Sequence, residues 1–469
     1  MSFGKGTVFV LGAGFTKAFL KQAPLLVDHY YGSELRKKFA SFPDALAVLD
    51  AELNDSQHPQ QIDIERLMTR LAGGMPYDFV AEPGQPIASN HELDYLLVEV
   101  KKAFIRRLTE ALRSDMLFPG ELWLFAQHVT ENENHCITFN YDDLLDSALW
   151  RLHEQAPPQS WSPETGYGFP CKASIHLIGV NTLGFRSPIV LHKLHGSLNW
   201  RVPRGARKPV QASDICHHEH WSTQPGWIDL ESLDPLLQEE PVLIPPVLTK
   251  DGLVKEPILQ IVWSSARSIL REAKRVVFIG YSLPRTDIAA AFLFREGLSR
   301  LQGPSAITVV DRTENEEEKK TKLRRLLEAY RTVFPSATEE QFDFSGAAQW
   351  VRNNFTQWLF DSKGKPTAFN ARRHIVSLDG RFIGTIRGFY PGRQDIWYGP
   401  YKGEIFDGNR FLSLITPPTE DQGGTRPPPL PQVPRIPDMI SAISLPPGYR
   451  DIDWGNEKSL YARPAGQHD

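Results

Sequence analysis

The chain is poor in cysteine, with only Cys136, Cys171 and Cys216 among 469 residues. Three scattered thiols cannot form a disulfide framework, and no CxxC pair offers zinc-ribbon spacing, so a reducing, cytoplasmic setting is expected. Long apolar runs are missing too. No stretch approaches the roughly 20 residues that a membrane-spanning helix needs. The first apolar run, in MSFGKGTVFVLGAGF, is short, β-branched and broken by glycine, which reads as a first strand rather than a signal peptide. An excess of one charge is lacking as well: the net charge of −4 gives no global attraction for nucleic acid or an anionic membrane, and neither is expected as a partner. No internal repeat is evident. What is present, 41% hydrophobic and 23% charged residues, suits a globular protein with one large domain and a smaller appendage.

Five short, β-rich apolar segments read as buried parallel strands: Thr7–Leu11, Cys136–Phe139, Ile189–Leu194, Val276–Ile279 and Ile307–Val310. Helical patterns alternate with them. His91–Leu112 spaces Leu93, Leu96, Leu97, Val100, Phe104, Leu108 and Leu112 along one helix face, and Pro257–Lys274 repeats the pattern. Thr313–Arg331 begins in glutamates and ends in Lys and Arg, as a solvated helix that complements its dipole would. The expected class is α/β, a Rossmann-like doubly wound parallel sheet over residues 1–345. Irregular stretches near 20–90, 151–188 and 201–240 are expected to be helical or loop insertions that line or cover a site. Over 346–416 the character turns to β: HIVSLDGRFIGTIRGFY holds two apolar runs joined by Asp379-Gly380, a hairpin signal, and a small β-rich appendage is expected. Residues 417–469 open with a Pro-dense run and are expected to be an extended tail or wrapping arm.

Several polar motifs end these apolar runs. In GAGFT, Gly12 and Gly14 follow the first strand, allowing a tight turn and close backbone approach to a phosphate, with Ala13, Phe15 and Thr16 beside them. A tight turn without ligand accounts for the same glycines. Lys17 stands where GxGxxG has its third glycine, and no acidic residue closes an evident second strand. In FNYDDLLD, Asn140 sits at a strand end, where a neutral amide can hold a water or ribose hydroxyl near developing positive charge; Tyr141 and Asp142 follow. One of the aspartates, Asp143 in particular, also suits a helix N-cap. In KLHGSLNW, His195 past a strand fits a general base, a ribose ligand or a hydrogen-bonded structural histidine, and Gly196 would let a group approach closely. VFIGYSLPRTD places Gly280, Ser282 and Asp287 in a further strand-end turn, suited to phosphate or ribose oxygens or to a structural turn followed by a capped helix. Asp311, after ITVV, suits a ribose acceptor or a helix cap. Residues 216–220, CHHEH, hold metal-ligand types, yet adjacent histidines in an insertion more often form exposed loop, and no metal is expected.

GAGFT, ITFNYDDLLD, LHKLHGSLNW, LIPP at 243–246 and VFIGYSLPRTD resemble, in order and spacing, the motifs of the sirtuin-related SIR2-like family, in particular its prokaryotic antiphage-defence branch. The resemblance covers about residues 5–312. It implies an NAD+-binding catalytic domain in which Asn140 and His195 are catalytic, Asp142 assists, and Gly12, Ala13, Gly14, Phe15 and Thr16 form the NAD+-binding turn, with Thr16 in place of a common serine. Tyr141, Gly196, Gly280, Ser282, Asp287 and Asp311 are the further NAD+-binding candidates. The implied activity is that of an NAD+ hydrolase, with NAD+ as substrate and no zinc. An NAD+-dependent protein deacylase and a non-catalytic NAD+ or ADP-ribose sensor are the alternatives. A homo-oligomer or a companion regulatory subunit is expected as partner, since an unrestrained NAD+ hydrolase would poison its host.

Overall fold

The computed structural model describes residues 3–21, 23, 30–55, 61–62, 64–73, 90–113, 120–155, 161–171, 187–203, 211–217, 239–243, 256–285, 287–301, 303, 306–371, 374–386, 395–397, 401–406, 410–414, 432, 434, 439, 441–442, 445 and 449–452. Two compact units emerge: residues 3–116 with 133–347, and residues 1–2 and 117–132 with 348–469.

The first unit contains β1 (Thr7–Leu11), β2 (Tyr30–Tyr31), β3 (Gln61–Ile62), β4 (His135–Thr138), β5 (Leu191–Lys193), β6 (Gly196–Pro203), β7 (Cys216–His217), β8 (Glu239–Leu243), β9 (Arg275–Ile279), β10 (Ile307–Val310) and β11 (Phe342–Asp343). Six of them form one sheet in the order β11-β10-β9-β1-β4-β5, and every pair in it is parallel. Counted along the chain, the sheet's strands run 3-2-1-4-5-6, the doubly wound dinucleotide-fold order. Because β–crossover–β connections are right-handed, reversing the winding direction between β1 and β9 sends the two sets of crossovers to opposite faces. That explains the composition of these strands: Val8, Phe9, Val10, Leu11, Val276, Val277, Phe278 and Ile279 are all buried, as strands covered on both sides must be. The expected strands lie within a residue or two of those observed. The sixth, β11, is two residues long, too short for a periodicity signal.

Helices His91–Arg113, Pro257–Glu272 and Glu316–Arg331 match the expected patterns. Asn315 caps the last of them by accepting from Glu318 N. A separate antiparallel sheet, β7-β6-β8, follows His195 directly. The expected insertions fall partly outside the described residues, as do residues 244–246 of the LIPP run and 218–220 of CHHEH.

The second unit contains β12 (Gln357–Phe360), β13 (Pro366–Ala371), β14 (His374–Ser377), β15 (Phe382–Ile386), β16 (Asp395–Trp397), β17 (Tyr401–Phe406), β18 (Arg410–Leu414) and β19 (Tyr449–Asp451). They form an antiparallel meander that closes on itself where Phe360 of β12 bridges Arg410 of β18. Its interior holds Leu359, Ala368, Ile375, Ile383, Ile396, Ile405, Phe411 and Ile452. The Asp379-Gly380 turn joins β14 to β15 as its sequence predicts. Strand β19 lies within the stretch expected as tail: Asp451 accepts from Ser362 N and Oγ at 2.8 and 2.7 Å, which fixes its place in the sheet. Helix Gly120–Glu131 belongs to this unit too. Its Glu121 pairs with Arg352 at 2.8 Å, and the His128 ring stacks on Phe355.

Candidate functional site

Ligands of open α/β sheets bind beyond the carboxyl ends of the strands, where the strand order reverses. Here that place lies between β1 and β9. Beyond the ends of β9, β1, β4 and β5 come Gly280, Gly12, Asn140 and His195, so four of the expected motifs meet along one edge of the sheet.

The glycines first satisfy the fold. Gly14 N donates to Gly280 O and Gly12 N to Ile279 O, both at 3.0 Å. A Cβ on Gly12 would lie 2.6 Å from Tyr281 Cα, and one on Gly14 would lie 2.8 Å from Gly280 Cα. Gly280 adopts φ +63° with its Cα face against Gly14 and Phe15 N. The two turns therefore approach each other at a distance only glycine permits. Phe15 N donates to Gly12 O, so three of the four amides at 12–15 are engaged within the protein, and a pyrophosphate cradle built from that whole run is not what the geometry offers. Gly196, at φ +78°, has a similar cause: a Cβ there would strike Val242 O and Leu243 Cα of β8. The group that approaches Gly196 is a strand.

Asn140 is 9% exposed and its side chain is fully oriented. Nδ2 donates to Gly12 O and to Thr16 Oγ1, each at 2.9 Å. A carbonyl oxygen only accepts, so the nitrogen must face Gly12. With both amide protons used, Oδ1 is left as the side chain's acceptor. The Thr16 hydroxyl passes its own proton on, donating to Asp142 Oδ2 at 2.7 Å, while Asp142 Oδ1 accepts from Leu144 N at 3.1 Å. Helix Leu144–Gln155 thus takes a capping bond from Asp142, and Asp143 is buried beside it. Burial pushes the Asp142 carboxyl above its usual range, opposed by Lys193, the Thr16 hydroxyl and the Leu144 N–H.

His195 is 8% exposed and contacts the residues on both sides of Asn140. Its ring meets Phe139 edge-on at 5.2 Å and stacks near Tyr141 at 5.9 Å. Phe139 in turn stacks on Tyr281 at 4.3 Å. The Tyr281 hydroxyl donates to Asp287 Oδ2 at 3.1 Å, and Asp287 Oδ1 accepts from Ala290 N at 3.3 Å as the cap of helix Ile288–Gly297. Asp287 Oδ2 lies 3.9 Å from His195 Nε2. Burial and the Asp287 carboxylate hold the Tyr281 phenol neutral.

Two expected residues remain, Ser282 and Asp311. Ser282 is exposed. The Asp311 carboxylate accepts from Arg312 N at 2.7 Å and pairs with Lys322 at 2.9 Å, two strands from β1. Its partners are protein groups.

Lys193 was not legible as a site residue. It is 0% exposed, donates to the Asp142 carbonyl at 2.5 Å and pairs with Asp146 Oδ2 at 3.1 Å. Asp146 also accepts from the Tyr167 hydroxyl at 2.5 Å and from Asn199 Nδ2 at 3.3 Å. Asn199 Nδ2 in turn lies 3.1 Å from His217 Nε2. The signal was present: a lysine between Leu191 and Leu194 in a buried strand requires an acidic partner. Which acid supplies it depends on tertiary contact.

Among the described residues, no group of three or more His, Cys, Asp or Glu side chains could hold a metal, and no helix is long and apolar enough to cross a membrane.

No protein-family model and no curated protein matches the chain. Among solved structures it is similar to "Structural Basis for the Mechanism and Regulation of Sir2 Enzymes", at 11% identity over 75% of this chain and 91% of that one, with a TM-score of 0.34. It is also similar to "Sir2-p53 peptide-NAD+", at 11% identity over 75% of this chain and 92% of that one, with a TM-score of 0.30.

Proposed function

We propose that this chain hydrolyses NAD+ at the bond between nicotinamide and ribose, releasing nicotinamide and ADP-ribose. The observation that carries the reading is the relay from Asn140 Nδ2 to Gly12 O and Thr16 Oγ1, and from Thr16 to Asp142. It holds a neutral amide rigid against the Gly12 turn that borders the switch point of a 3-2-1-4-5-6 sheet, with only Oδ1 left to accept a hydrogen bond. In this reading Oδ1 accepts from the attacking water or a ribose hydroxyl. Water oxygen bonds to the anomeric carbon, and the carbon–nitrogen bond breaks with its electron pair passing to the pyridinium nitrogen. The water's proton passes to neutral His195 and then to solvent. An uncharged amide is suited to this place: it orients water beside an oxocarbenium-like centre without trapping that centre as an ester.

The order of the motifs along the chain supports the narrower reading as well, a cytoplasmic antiphage-defence effector that depletes NAD+ and is held inactive by its oligomeric state or a companion subunit until triggered. The chemistry asks for such restraint, because NAD+ is shared by the whole cell.

Purified protein incubated with NAD+, alone and with the product of the neighbouring gene, is expected to release nicotinamide and ADP-ribose in at least one condition. Asn140→Ala and His195→Ala should each lower release about 100-fold or more. Binding of NAD+ without nicotinamide in either condition would overturn hydrolysis in favour of a sensor, and release only with an acylated peptide would favour deacylation.

A further inference from the structure

The turn after β9 is shaped to return a carboxylate to the imidazole. Leu283, a residue with a Cβ, adopts φ +48° in this turn and is 3% exposed. Such a conformation costs energy in a γ-branched residue and persists only where its surroundings impose it. Just after it the backbone closes, with Asp287 N donating to Pro284 O at 2.9 Å. The Asp287 side chain, 4% exposed, is then clamped by Ala290 N on one oxygen and by the Tyr281 hydroxyl on the other. The second oxygen is the one 3.9 Å from His195 Nε2. That separation exceeds a hydrogen bond but lies within ion-pair range, so the interaction favours the protonated ring. Phe139 and Tyr141 flank the ring on two sides.

From this geometry we infer that Asp287 is a positioning residue for His195, holding the ring in place and stabilising the imidazolium formed when it takes a proton. This deepens the hydrolase reading and rests on it for the catalytic consequence, but the pairing itself is a property of the free protein. It also reassigns Asp287 from a ligand-binding group: both its oxygens already face protein donors or the imidazole. Titratable groups face this ring from two turns, Asp287 after β9 and Tyr141 after β4, and Tyr281 reaches it through its bond to Asp287 and its stack on Phe139. The nearest buried cation on its own segment, Lys193, is engaged by Asp146 and the Asp142 carbonyl.

The test is the titration of the His195 ring followed by NMR in histidine-labelled protein without NAD+, the resonance assigned by its loss in His195→Gln. Asp287→Asn keeps a side-chain oxygen to cap Ala290 N but removes the charge. It is expected to lower the His195 pKa by about 1 unit or more. Asp287→Ser, also a good helix cap, should do the same, and serves if the asparagine variant folds poorly. Tyr281→Phe, which keeps the carboxylate and the ring stack, should not lower it. With NAD+, the acid limb of the kcat profile should move to lower pH in Asp287→Asn, in step with the ring's titration. An unchanged His195 pKa in Asp287→Asn and Asp287→Ser would overturn the proposal even if the wild type hydrolyses NAD+. A lowered pKa in a protein without hydrolase activity would leave the pairing standing and remove the hydrolase reading alone.

Discussion

Asn140 donates its side-chain amide to the carbonyl oxygen of Gly12 at 2.9 Å across 128 residues of sequence. That bond joins the ends of adjacent strands β1 and β4 and makes the glycine turn a support for the amide. The motif therefore acts through what it holds, and the hydroxyl next in line, Thr16, becomes a sensitive position.

Thr16→Val keeps the shape of a 5% exposed side chain but removes the hydroxyl that accepts from Asn140 and donates to Asp142. Each partner then loses a bond in a buried setting, at a cost of about 1–3 kcal/mol, measurable by urea unfolding. Nicotinamide release should fall about 10- to 100-fold as Asn140 loosens. Thr16→Ser should retain most of both. Wild-type turnover in the valine variant would show that the relay does not position the amide.

Gly280→Ala places a methyl group against Phe15 N and Gly14 at a backbone φ of +63°. The left-handed conformation and the overlap together should cost more than about 2 kcal/mol. Because the displaced segment leads into Thr16, activity measured below the unfolding transition should fall too. Unfolding at the wild-type urea concentration would mean that the two turns can separate freely.

Lys193→Met leaves Asp146 buried, with its cation removed, and should destabilise the protein by about 3–5 kcal/mol. Adding Asp146→Asn, which keeps an acceptor for the Tyr167 hydroxyl, should recover a substantial part of that loss. A double-mutant cycle in urea reads the coupling directly. Additive losses would place the energy of this cluster elsewhere.

His192, buried in β5, has its pKa lowered from 6.5 to about 3, first by desolvation and second by His135 nearby. The folded state therefore resists protonation while the unfolded chain accepts it. This contribution to stability is fully present above pH 6.5 and is lost as the pH falls toward 3, with a full extent of about 5 kcal/mol. Urea midpoints should decline through this window, and His192→Gln should show a shallower decline. Parallel declines would assign the acid sensitivity to other groups.

Much of this was legible in the chain itself. Five of the six strands of the parallel sheet could be read because a strand covered on both faces must be a short, continuous apolar run, and these runs end sharply at glycine, asparagine, histidine or aspartate. Helix Pro257–Glu272 and the Asp379-Gly380 hairpin announced themselves through apolar spacing and turn chemistry. Asn140 and His195 stood out for a related reason: polar residues at the ends of apolar strands have a predictable place even when their partners are unknown.

Pairwise arrangement was not legible. Lys193 and Asp146, His195 and Asp287, and Glu121 and Arg352 are brought together by strand order and chain reversal, which leave no trace in local periodicity. The glycines of GAGFT show the limit most directly. Sequence alone determined that the chain turns tightly after its first strand. Only the tertiary structure decided that the space the glycines leave is occupied by the turn at Gly280, because which two backbones approach depends on β9 lying beside β1.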